Sequence, residues 1–112
     1  MQLLRGGVTE LATVEQWETI RDSEERLVVL DFTATWCGPC QRIAPAFAAL
    51  AEEYECTALF VKCDVDDLGE LAAELGVASM PTFLFFKSAE CVEALHGADE
   101  ARLRELVEKH TS

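Results

Sequence analysis

The chain has 112 residues, half of them apolar and 27% charged, the composition of a globular protein with enough apolar mass for a core. Its formal net charge is −12 and its Lys and Arg residues do not cluster, which argues against a nucleic-acid partner and for a solvated acidic surface. No apolar run is long enough to span a bilayer. The start (MQLLRGGVTEL) lacks the pattern of a secretion leader, and the end (EKHTS) is not a retention signal, so the expected location is cytoplasmic.

Taken in chain order, residues 6–11 (GGVTEL) read as a short edge strand. Thr13 then opens a helix, spaced from Gln16 as in a capping box, with Val14, Trp17 and Ile20 on its apolar side. Residues 26–32 (RLVVLDF) are nearly continuous in β-forming apolar side chains, the pattern of a central strand covered on both faces. After Trp36-Cys37-Gly38-Pro39-Cys40, Ile43, Phe47, Leu50, Ala51 and Tyr54 recur at helical spacing, and Pro45 inside that helix predicts a kink. Residues 57–65 (TALFVKCDV) read as a second two-sided strand. Asp66 or Asp67 is the expected cap of a helix whose stripe is Leu68, Leu71, Ala72 and Leu75, ended by Gly76. Residues 82–86 and 91–95 are close enough for an antiparallel hairpin, and Asp99 caps a last helix with Leu103, Leu106 and Val107 facing inward. The order β-α-β-α-β-α-β-β-α predicts one α/β domain over 1–112. Its mixed five-stranded sheet joins parallel strands by right-handed crossovers, adds an antiparallel hairpin and is flanked by four helices.

Chemistry centres on Cys37 and Cys40. A zinc site needs four ligands, and this chain has one Cys-x-x-Cys; His96 and His110 lie far downstream without ligand spacing, so no metal is expected. A disulfide closing so short a loop removes little unfolded-state entropy, so a purely structural staple is weakly motivated. Redox exchange explains more. The pair follows a buried strand and opens a helix, which puts Cys37 near the N-cap, where free N–H groups and the helix dipole favour a thiolate. Cys40 lies on the same side of the helix within disulfide reach. A thiolate at Cys37 would attack a substrate disulfide, and Cys40 would then release the reduced substrate. Pro39 suits the first helical turn. Trp36 either shields the sulfurs or is a packing aromatic beside a loop.

Two more features bear on the pair. Asp31 interrupts an apolar two-sided strand, and a buried carboxylate is costly unless it is partnered or used. It reads either as an acceptor for the Cys40 proton, its pKa raised by burial, or as half of a buried pair with Lys62. Pro81, before the fourth strand, is either a cis turn proline or an ordinary strand-start proline.

Together, DFTATWCGPC, KCDVDD, SMPTFLFF and HGADE resemble the thioredoxin family, over about the whole chain. The resemblance implies the thioredoxin fold and a general protein-disulfide reductase, with Cys37 as nucleophile, Cys40 as resolving cysteine and Asp31, near Lys62, assisting proton transfer. It also implies a cis Met80–Pro81 bond, with the Met80 backbone pairing to the substrate strand. Trp36 and the Gly97 region would complete a shallow apolar groove, with Gly38 and Pro39 shaping the motif's turn. The implied partners are disulfide-containing proteins and an NADPH-dependent flavoprotein reductase, with no cofactor bound and the chain acting as a monomer.

The chain departs from the family pattern at several positions. Gln41 stands where many members have lysine, with Arg42 a candidate substitute charge. Thr33 stands where some carry tryptophan, and Ala89 where glycine is common. Cys56, Cys63 and Cys91 are additional; Cys63 reads as a small core hydrophobe and the other two as exposed. Two competing functions use the same framework. An oxidase or isomerase is disfavoured by Gly38-Pro39, and a non-catalytic binding module by the completeness of the reactive set.

Overall fold

The computed structural model describes residues 7–112. Along the chain it runs β1 (Thr9–Glu10), α1 (Val14–Ser23), β2 (Leu27–Thr33), α2 (Gly38–Glu53), β3 (Ala58–Asp64), α3 (Gly69–Glu74), β4 (Thr82–Lys87), β5 (Glu90–His96) and α4 (Glu100–Thr111). The five strands form one sheet in the order β1-β3-β2-β4-β5, with β1, β3 and β2 parallel and β4 and β5 antiparallel. This is the predicted mixed sheet with its four helices. The first predicted strand shrinks to Thr9–Glu10, and Gly6 of that segment lies outside the described residues.

The alternation of strand side chains assigns the two faces. On one side Leu27, Val29, Phe60, Phe83 and Phe85 pack against Ile43, Phe47 and Leu50 of α2 and Leu103, Leu106 and Val107 of α4. On the other, Val28, Leu30, Phe32, Val61, Cys63, Leu84 and Phe86 meet Trp17 of α1 and Leu71 and Ala72 of α3. Every residue of β2 is buried, Asp31 included, as its nearly continuous apolar run requires of a strand covered on both faces. Phe47 anchors the first face, its ring 5.2 Å edge-on from Phe60 and 5.7 Å from Phe83. The period of two places Asp31 on this same face, two residues beyond Val29 and under α2. Lys62, two beyond Phe60, joins it there and is its register partner on β3.

Helix starts follow side-chain chemistry, with one exception. The Thr13 hydroxyl accepts from Gln16 N at 3.0 Å and the Asp99 carboxylate from Arg102 N at 3.0 Å, as the sequence implied. The third helix is a correction. Neither Asp66 nor Asp67 caps it; α3 begins at Gly69, with Leu68 at the N-cap position and no side-chain cap bond. The aspartates close a turn on themselves first: the Asp64 carboxylate accepts from Asp66 N at 2.9 Å, and the Asp64 carbonyl accepts from Asp67 N and Leu68 N. Gly76 ends that helix at φ +73, as predicted for a C-terminal glycine. The hairpin between β4 and β5 turns on Ser88 and Ala89 with φ of 52 and 69, both left-handed, the pattern of a type I′ turn built without glycine.

Candidate active site

The site forms where β2 hands over to α2. Cys37 occupies the N-cap of α2 in extended conformation, and its sulfur accepts from Cys40 N at 3.2 Å. Gly38 and Pro39 fill the first two helical positions, where the missing proline N–H removes no helical bond. Cys37 and Cys40 are joined as a disulfide with their Cα atoms 5.3 Å apart. Both are buried, Cys37 at 6% and Cys40 at 2% exposure. In the reduced state a thiolate at Cys37 would meet the N–H groups and positive end of α2, which favour the anion.

The loop before the helix is pinned at one carbonyl. Ala34 O accepts from Cys37 N at 3.2 Å and from the Gln41 side-chain amide at 3.0 Å. Gln41, where the family often has lysine, therefore ties the loop to the first helical turn without adding charge. Trp36 is 66% exposed, and its indole N–H donates to Asp66 at 2.9 Å. The ring is thus held outward beside the disulfide and is not core packing.

Facing Cys37 stands the loop before β4. The Met80–Pro81 bond is cis, and the Met80 carbonyl oxygen lies 3.8 Å from the Cys37 sulfur. Thr82 donates its hydroxyl to Ser79 O at 2.6 Å, and Gly97 N donates to Pro81 O at 2.9 Å, so the end of β5 braces this loop. Gly97 has φ +97, a conformation that a side chain would strain. Cys37, Met80, Pro81 and Gly97 are thus brought together from segments far apart in sequence, with Trp36 on the flank.

Asp31 lies behind this face, 4% exposed, with Oδ1 lacking any hydrogen-bond partner. Burial pushes its carboxyl up to about 7, against the pull of the Lys62 ammonium. It makes no hydrogen bond to either cysteine. With Lys62, Thr33 and Gln41 it lines a cleft of about 230 Å³, walled by Val8, Ala44, Phe47 and Ala48. Of the two readings of Asp31, the buried pair with Lys62 does not form: the Lys62 side chain, 41% exposed, directs its ammonium to Glu10 at 3.8 Å. Cys63 is buried, its thiol pushed up to about 11 by burial and by Asp64, Asp31 and Asp67; Cys56 and Cys91 are exposed. Sequence reasoning missed Glu10, Asp66 and the Ala34 carbonyl. The run Asp64–Asp67 does place acids at the carboxyl end of β3, beside the loop after β2, but nothing in it selects Trp36 as a partner.

Comparison with known proteins agrees with this geometry. The thioredoxin family model matches residues 8–109. Thioredoxin H4 of Arabidopsis thaliana is 43% identical over 109 residues, covering 95% of this chain and 92% of that protein. Thioredoxin-1 of Schizosaccharomyces pombe is 50% identical over 80 residues, 71% of this chain and 77% of that protein. The crystal structure of thioredoxin NaTrxh from Nicotiana alata superposes with a TM-score of 0.89 at 35% identity, covering 100% of this chain and 99% of that one. The chain belongs to the thioredoxin family of thiol–disulfide oxidoreductases.

Proposed function

We propose that this protein reduces disulfides in a range of protein substrates by exchanging them against the Cys37–Cys40 pair. The observation that carries the reading is Cys37 at the N-cap of α2, bonded to Cys40 and facing the Met80 carbonyl. In the reduced protein the Cys37 thiolate attacks one sulfur of a substrate disulfide. A mixed disulfide forms, and the other substrate sulfur leaves as a thiolate that takes a proton from solvent. Cys40 then attacks Cys37, which closes the intramolecular disulfide and releases the second substrate thiolate. Asp31 accepts the Cys40 proton in that step, through water in the cleft; an acceptor titrating near neutrality suits a reaction run near neutrality. The substrate chain lies extended against the Met80 backbone, so main-chain bonds supply affinity for unrelated sequences, with Trp36 as the apolar flank.

The electrons come from NADPH through a flavoprotein thioredoxin reductase, and the working location is the cytoplasm. No described helix is long and apolar enough to cross a membrane. A net charge of −12 favours a monomer between encounters.

The test is insulin reduction by dithiothreitol, which the folded protein accelerates; an inert but folded protein overturns the reading. Cys40→Ser accumulates mixed disulfides through Cys37, and Cys37→Ser does not. Asp31→Asn removes the limb of the pH–rate profile near neutrality, and an unchanged limb removes the proton-acceptor role. Coupled NADPH oxidation with a thioredoxin reductase tests the electron source, and cell fractionation tests the location.

A further inference from the structure

Lys62 stands between two carboxylates. On one side its register partner is Glu10 of β1, and on the other Asp31 of β2. In-register neighbours on parallel strands share a face of the sheet, so all three side chains rise on the α2 side. The cleft joins two of them, with buried Asp31 on its inner wall and half-exposed Lys62 at its mouth. Lysine carries a point charge on a flexible stem, so either carboxylate is within its repertoire. Its ammonium is turned outward, 3.8 Å from Glu10, in a pair whose side chains are 41% and 70% exposed. A pair so long and wet holds its charge weakly.

We propose that Glu10 is a positioning residue for the redox centre: it holds the Lys62 ammonium at the cleft mouth while Asp31 is protonated and yields it to Asp31 when that carboxyl ionises. The inference rests on Asp31 being the proton acceptor and adds the device that sets its proton affinity. With Asp31 neutral, the cleft offers Lys62 no charge, and Glu10 keeps it. Once Asp31 has lost its proton to solvent, an unpaired buried carboxylate is far costlier than a broken surface pair, and Lys62 turns inward. Glu10 therefore competes for the counter-ion and keeps Asp31 harder to ionise. In the oxidised protein, where Cys37 and Cys40 of α2 are held as a disulfide and carry no proton, the other elements packed around Asp31 bring no charge: β4 places Phe83 opposite it, α2 faces the cleft with Gln41, Ala44 and Phe47, and the neighbouring Cys63 thiol, pushed up to about 11, stays neutral.

The experiment is a carboxyl-carbon NMR titration of Asp31 in the full chain with Cys37 and Cys40 oxidised. Glu10→Gln lowers the Asp31 midpoint by about half a pH unit, the scale set by a weak exposed pair. Lys62→Met raises it, and Glu10→Gln added to Lys62→Met then changes nothing. A midpoint unmoved by Glu10→Gln overturns the proposal. So does an equal drop in the Lys62→Met background, which would make Glu10 act directly rather than through lysine. The pH–rate profile separates this from the proton-acceptor reading: a midpoint that moves while the rate limb stays fixed upholds the Glu10 device and removes Asp31 from the reaction.

Discussion

Replacing Asp31 by Asn removes a charge that the fold tolerates at a cost. The carboxyl is 4% exposed, one of its oxygens has no partner, and burial raises its pKa from 3.8 to about 7. Between those values the folded chain binds a proton that the unfolded chain has released. Stability therefore falls as pH rises through this window and is fully reduced above about 7. A rise of about three pH units corresponds to about 4 kcal/mol, at about 1.4 kcal/mol per unit. Asp31→Asn should thus stabilise the oxidised protein by up to about 4 kcal/mol at pH 9, by less near pH 6, and by close to nothing at pH 4. The assay is urea unfolding of both proteins at several pH values, with the slope against denaturant checked for constancy. The Asn amide adds its own offset, which does not vary with pH, so the pH dependence is the diagnostic. A difference that is flat from pH 4 to pH 9 would refute the assignment of Asp31 as a destabilising buried acid. A gain in stability joined to a loss of turnover is the pattern expected where function retains a strained group.

Ala89→Gly should stabilise the chain by about 1 kcal/mol, because Ala89 sits at φ 69, where only glycine avoids the steric cost; thermal unfolding reads the change, and no gain would count against the turn geometry. Phe47→Ala should cost about 3–5 kcal/mol in urea unfolding, since the ring is 2% exposed and fills the space between Phe60 and Phe83. Its loss also opens the wall beside Asp31 to water, so the Asp31 midpoint should fall in the same variant. Trp36→Ala should leave stability within about 0.5 kcal/mol, because the ring is 66% exposed, yet lower kcat/KM for a protein disulfide more than for a small one. An equal loss on both substrates would assign Trp36 to the chemistry instead of to docking.

The sequence carried the architecture where periodicity was clean. The nearly continuous apolar run of β2 gave a fully buried strand, and stripes such as Ile43–Phe47–Leu50 gave the helix faces. The reactive pair was legible too, because Cys-Gly-Pro-Cys after a buried strand fixes both sulfurs at one helix start. The start of α3 was not. Aspartate serves caps and turns alike, and here Asp64 satisfied its own neighbours' N–H groups before the helix began. The destination of Lys62 was equally hidden. Alternation placed it beside Asp31, but where a flexible ammonium points depends on Glu10, half the chain away. The bond from Trp36 to Asp66 depends on how the ends of β2 and β3 align, which no local pattern encodes.

The most direct test of the central claim is the reduction potential of the Cys37–Cys40 pair, read by equilibration against glutathione with the thiol and disulfide forms separated by mass. A protein-disulfide reductase must hold its electrons at a potential below that of its substrates. The account predicts a midpoint more negative than about −230 mV. A midpoint near or above about −180 mV, where isomerases and oxidases work, would contradict it.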